Sequence, residues 1–235
     1  MSEIRGLLAS FRLASPALPI GGFSYSQGLE TAIDRQWIHD EASALTWISD
    51  CIDLNMGAFE APLLFSMLNA LSAADLPRVV ALNQWYLASR ETRELHAETL
   101  QMGYSMFKLL QDDLMRPSDV LHERWTQLSQ RIDVEEALSL PLAWALASIS
   151  FEISSANAVA AYLWAWAENQ VMAAMKCIPL GQQAGQRLLK ALSPMLERAT
   201  LAAPTLPEEQ WSNGAPGFVI ACAWHETQYS RMFRS

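Results

Sequence analysis

"LSLPLAWALASISFEISSANAVAAYLWAWA", residues 138–167, carries a single charged side chain, Glu152. A membrane-spanning helix needs about 20 consecutive apolar residues, so this run decides between a membrane protein and a helical core. Glu152 falls mid-run beside Ser150, Ser154, Ser155 and Asn157, and Pro141 stands near the start. An unpaired carboxylate at the centre of a bilayer costs roughly 2.5–3.5 kcal/mol or more. The stretch therefore reads as two buried helices joined at Ser154-Ser155, with a membrane span as the lesser reading.

Helical spacing continues on both sides of that run, and no stretch of β-branched alternation is found. Asp40 reads as an N-cap for a helix in which Leu45, Ile48, Ile52 and Met56 recur at three- and four-residue steps. Gly57 and Pro62 are expected to break or restart it. Asp75 caps a further helix, with Pro77 tolerated in its first turn. "ETRELHAETLQMGYSMFKLLQDDL" follows as a long helix ended by Met115, Arg116 and Pro117. The second apolar helix of the opening run extends to about Cys177, Pro179 and Gly181 break the chain, and one more helix precedes a turn-rich stretch.

These elements make an all-α fold, a single helical-bundle-like domain of roughly eight to ten helices over residues 1–203. Residues 204–217, with Pro204, Pro207, Gly214, Pro216 and Gly217, read as a linker, and 218–235 as a C-terminal docking tail. No fixed-period repeat or low-complexity tract is found.

Composition narrows the function classes. Over 235 residues, 51% are hydrophobic and only 17% charged, which leaves little charge to cover a surface and points to self-association or a protein partner. The net charge of −9 speaks against nucleic acid, whose phosphates need a basic face. Cys51, Cys177 and Cys222 form no CxxC pair and no disulfide framework, and the N-terminus lacks a secretory apolar core of useful length. A cytoplasmic protein is expected.

The catalytic motifs fail one by one. A phosphate-binding loop needs Gly-Lys-Ser/Thr, and Lys108, Lys176 and Lys190 follow Phe107, Met175 and Leu189. Gly21-Gly22 has no strand before it. No GxSxG elbow and no HExxH pair appear, so no catalytic residue is nominated and an enzyme is not expected. The alternative kept open is a helical-bundle metalloenzyme or hydrolase of unknown substrate.

Cys222, His225 and Glu226 share one helix face, but a two-ligand site is weak because tight zinc sites use four ligands or three plus water. Packing for Cys222 and a hydrogen bond or interface contact for His225 are the favoured roles. Glu91, Glu94 and Glu98, interleaved with Arg90 and Arg93, read as a solvated face with an Arg90–Glu94 pair, structural or docking in role. Lys176 supports two readings equally: a helix-end lysine reaching solvent, or a lone cation at an interface or internal passage. At the end of the chain, Tyr229, Met232 and Phe233 stand among Arg231 and Arg234, a composition of interface anchors.

Four stretches, "SPALPIGGFSYSQGLE", "SRETRELHAE", "MAAMKCIPLGQQAGQRLL" and "HETQYSRMFRS", occur in order from residue 15 to 235. Together they resemble the UreF family of urease accessory proteins. The resemblance implies an all-helical, homodimeric protein without catalysis of its own. It implies that the protein binds UreD (UreH in some organisms) and recruits the GTPase UreG, whose GTP hydrolysis it modulates. The assembly delivers nickel to apo-urease, so no cofactor is tightly bound and nickel is at most in transit.

Carried over by position, the UreD-docking residues would be His225, Glu226, Gln228, Tyr229, Ser230, Arg231, Met232, Phe233 and Arg234. Met232 departs from the leucine expected there, a volume-conserving change. Glu30, Arg90, Glu91, Lys176, Pro179, Gly181 and Gln182 would lie at the dimer or UreG-facing surface. Pro19, Gly21, Gly22 and Ser24 would form a structural turn between a first helix and one beginning near Ser24.

Overall fold

The computed structural model describes residues 3–114 and 120–235, so the expected helix end at Met115, Arg116 and Pro117 lies outside the described residues. Among the described residues every regular element is helical. In chain order these are α1 (Glu3–Leu13), α2 (Leu29–Asp34), α3 (Glu41–Cys51), α4 (Ala61–Ser72), α5 (Leu76–Ala88) and α6 (Arg93–Leu114). They continue with α7 (Val120–Ser129), α8 (Leu140–Ser150), α9 (Ser155–Cys177), α10 (Gln182–Ala202) and α11 (Pro216–His225).

The helix starts follow from local chemistry. Asp40 accepts the Ser43 N–H at 2.8 Å while its own N–H donates to Ser43 Oγ at 3.1 Å, a reciprocal cap that satisfies two orphan donors. Asp75 caps α5 through the Arg78 N–H, with Pro77 in the first turn, and Ser154 caps α9 through the Asn157 N–H.

Two features differ from expectation. Gly57 and Pro62 do not break the chain: α3 runs into α4 through a π-helical stretch, Ile52–Glu60, as one rod. The widened turn changes the helical register just before Pro62. Gly57 is where α10 crosses, since a Cβ there would stand 3.1 Å from that of Ala199. This rod, Glu41–Ser72, is the one described helix long and apolar enough to cross a membrane, and its most apolar window is 67% buried inside the fold. In the opening run, α8 is short, and the chain turns at Glu152, which is exposed with φ 56°. The charge thus leaves the apolar layer at the corner instead of crossing it.

Most of the core is one large cluster in which α8 packs on α4 and α6, and α9 on α10; Cys51, Leu95, Ala215, Phe218 and Cys222 form a second, smaller one. Residues 204–215 run across α5 and the π-helical stretch. There the Trp211 and Trp85 rings stack at 5.3 Å, and Asn213 Nδ2 donates to the Ser89 carbonyl at 3.0 Å. Beyond them α11 packs on α2, and the last ten residues fold back over α2 and the start of α6.

Candidate partner-docking site

The site begins at the Gly-rich bend. Gly21 adopts φ 80° and opens a single 3-10 turn, Gly22–Ser24. The helix expected near Ser24 starts instead at Leu29, because Gln27 (φ 52°) and Gly28 (φ 76°) are both left-handed and stop any earlier start. Gly28 has a second reason to lack a side chain: a Cβ would sit 2.8 Å from the Cys222 nitrogen. Helix α11 therefore rests directly on this bend, whose outer rim holds Pro19 and Gly21 in the open.

The bend turns its polar atoms towards the C-terminal segment. The Ser235 carbonyl accepts the Ser26 and Gln27 N–H groups at 2.7 and 3.0 Å, and Ser26 Oγ at 2.7 Å. The Arg234 N–H donates to the Ser24 carbonyl at 2.8 Å. Glu30, on α2, takes the backbone N–H of Met232 at 2.7 Å and of Phe233 at 3.0 Å. Charge-assisted bonds of this kind are roughly twice as strong as neutral ones. Thr31 Oγ1 donates to Gln228 Oε1 at 2.7 Å.

Helix α6 supplies the other wall. His225, with no exposed surface, places Nδ1 2.6 Å from Glu94 and Nε2 3.4 Å from Glu30. Arg231 pairs with the other oxygen of Glu94. The Glu226 carboxylate accepts the Glu94 N–H at 3.2 Å, an acceptor placed where a helix start needs one. Phe233 is buried under Lys176, whose ammonium lies 5.2 Å from the ring centroid. Lys176 is itself exposed in the last turn of α9.

Behind this clasp lies a polar interior that sequence reasoning misread. The Arg90–Glu94 pair does not form. Arg90 precedes α6, and its Nη1 turns inward to Glu60 Oε1 at 2.9 Å, both side chains buried. Tyr162 donates to Glu60 Oε2 at 2.5 Å, and its burial raises the phenol well above the usual range. Glu98 is buried too, accepting Gln27 Nε2 at 2.7 Å and Ser235 Oγ at 2.6 Å. Burial pushes its carboxyl up to about 7, against those two bonds and Arg90, which pull it down. Glu60 sits among apolar neighbours in sequence and Glu98 in a polar helix, and their partners, Arg90 for Glu60 and Ser235 for Glu98, lie 30 and 137 positions away.

The assigned residues thus divide. His225 and Phe233 face inward and have little or no surface, whereas Tyr229 is fully exposed and Met232 largely so. Ser230, Arg231 and Arg234 are exposed, and Glu226 and Gln228 are half-buried. Glu91 accepts Asn213 Nδ2 at 3.0 Å. Pro179, Gly181 and Gln182 are exposed at the α9–α10 turn, apart from Arg90. Cys222 is packed, its thiol raised far above the usual range by burial. With both His225 nitrogens engaged, the Cys222/His225 pair has no free donor set, and no metal-holding group of three or more acidic, His or Cys residues occurs among the described residues.

A second surface is apolar. Ile4, Leu7, Leu8 and Phe11 stand exposed on α1, beside a groove of about 760 Å³ between α1, α9 and α10 that holds Trp164, Glu168 and Glu197. Burial raises the Glu168 carboxyl above the ordinary range.

Comparison with known proteins identifies the family. The UreF family model matches residues 38–193. The urease accessory protein UreF of Dechloromonas aromatica is 46% identical over 224 residues, covering 95% of each chain. That of Azotobacter vinelandii is 46% identical over 234 residues, covering 99% of this chain and 100% of its own. That of Pseudomonas fluorescens Pf-5 is 46% identical over 227 residues, covering 97% and 98% respectively. All three are named as accessory proteins, not as enzymes. With a family model over most of its length and such relatives end to end, the chain belongs to the UreF family.

Proposed function

We propose that this protein is a non-catalytic adaptor of urease maturation. It bridges UreD (UreH) and the GTPase UreG, modulates GTP hydrolysis by UreG, and takes part in delivering nickel to apo-urease in the cytoplasm. The observation that carries the reading is the C-terminal segment. Its backbone and Phe233 are tied to α2, α6 and α9, and the same ordering turns Tyr229, Met232 and the α11 residue Trp224 outward. Outward aromatic side chains beside arginines are what interface anchors are made of. Ordering them in advance reduces the entropy lost on binding.

Nickel is cargo here, and the described residues contribute no resident site for it. The uncovered apolar face of α1 and the adjoining groove support pairing with a second copy. Removing residues 226–235 and testing co-purification with UreD checks the reading. Loss of UreD, with helical content retained, is the expected result; undiminished complex formation would overturn it. Urease activation with and without the full chain tests the wider role.

A further inference from the structure

Helix α11, Pro216–His225, carries no aspartate, glutamate, lysine or arginine on any face. Phe218, Ala221, Cys222 and His225 are buried, which accounts for its inner side. Its other side, Gly217, Ile220, Ala223 and Trp224 at three- and four-residue steps, is equally uncharged and is exposed. A helix apolar all round is a buried helix, so half of α11 lacks the cover its composition calls for. The Trp37 ring, just beyond α2, extends that exposed half: it packs 5.3 Å from the ring of Trp224 and 6.1 Å from that of Trp47 on α3. Trp37, Ile220 and Trp224 remain 42%, 44% and 40% exposed, so these parts of the chain form one apolar shelf. In chain order the shelf runs through exposed Thr227 into the C-terminal segment.

The rim of the shelf is basic, in a chain of net charge −9. The Arg35 guanidinium lies 4.9 Å from the Trp224 ring centroid, and Arg231, Arg234 and Lys176 are exposed around the segment that continues the shelf. The neighbouring carboxylates are mostly occupied. Glu30, Glu94 and Glu226 hold the segment, Asp40 caps α3 and Glu41 pairs with Arg187, which leaves Asp34 and Asp50. An apolar floor with cationic edges fits a protein surface that is apolar at its centre and acidic at its edge. We propose that the outer stripe of α11 and Trp37 form a second docking surface, continuous with the C-terminal segment, for such a surface on UreD; the choice of UreD rests on the proposed adaptor function. Trp37 and Ile220 then touch the partner directly and do not act through the segment. The groove beside α1, which supports pairing with a second copy, shares no residue with this shelf.

The test uses the full chain and purified UreD, with affinity read by calorimetry. Ile220→Glu and Trp37→Ala, on two different parts of the chain, should each weaken the complex about tenfold or more. Hydrogen exchange at the Met232 and Phe233 N–H groups should stay at the wild-type level in both, which separates lost contact from a loosened segment. Arg35→Glu should slow association and flatten its dependence on salt; association at the wild-type rate in low salt would overturn the acidic character of the partner face. If removing residues 226–235 abolishes the complex while both apolar-shelf substitutions bind as tightly as wild type, the shelf is overturned and the role of the segment stands. If the truncated chain still binds and the substitutions weaken binding, the shelf stands and the role of the segment falls. If neither change matters, both fall. A changed mass of the protein alone in Ile220→Glu, with UreD binding undiminished, also overturns the proposal and gives the shelf to a second copy.

Discussion

Arg90 Nη1 lies 2.9 Å from Glu60 Oε1, with the two side chains only 3% and 5% exposed. The pair joins the loop before α6 to the end of the π-helical stretch, and Tyr162 on α9 completes it. Three separate parts of the chain meet at one carboxylate. The widened helical turn is what aims Glu60 inward at that point, a common use of π-helical geometry.

Removing one member of a buried pair leaves the other without compensation. Arg90→Ala should cost about 3–5 kcal/mol of stability, whereas Arg90→Met with Glu60→Leu should recover most of the loss. Urea unfolding of the two variants measures both. A small loss in the single variant would mean that water reaches Glu60 more readily than its burial implies.

Glu30 is the point at which the C-terminal backbone is held, through consecutive N–H groups of Met232 and Phe233. Glu30→Ala removes an ionised acceptor from both, and hydrogen bonds to charged groups contribute about 1.5–3 kcal/mol each. Hydrogen exchange should rise across residues 226–235 and stay unchanged in the core helices α8 and α9. Equal loosening throughout the chain would refute this local role.

Gly28→Ala tests the seat of α11. The left-handed backbone costs a non-glycine residue about 1–3 kcal/mol, and the new Cβ would press on the Cys222 nitrogen at 2.8 Å. Gly181→Ala is the control, since nothing lies within 4 Å of a Cβ there and its φ is −76°. The first should lower the melting temperature and loosen α11; the second should do neither.

Much of the helical plan was legible because its signals are local. Asp40, Asp75 and Ser154 start helices through bonds to N–H groups three residues on, and periodicity places α8 and α9 without tertiary knowledge. The π-helical stretch was not legible, since Gly57 and Pro62 read as breakers until α10 is seen crossing at Gly57. The candidate site was half legible. Its blocks stood out through the family resemblance, but the bond from Glu30 to Met232 spans 202 positions, and no spacing rule reaches that far. Arg90 was misread for the same reason: a nearby Glu94 offered a helical pair, while the buried Glu60 that wins is distant in sequence.

Tyr229 and Phe233 separate direct contact from internal support. Tyr229 is fully exposed and Phe233 is buried beneath Lys176. Tyr229→Ala should therefore leave folding stability within about 0.5 kcal/mol, as exposed substitutions generally do. If the segment docks on UreD as proposed, the same variant should weaken co-purification with it. Phe233→Ala should act through the segment itself, raising its hydrogen exchange and weakening the complex as a consequence. Calorimetry and pull-down on the two variants distinguish the roles. A Tyr229 variant that unfolds the segment, or one that binds UreD undiminished, would show that the outward aromatic face is not the contact.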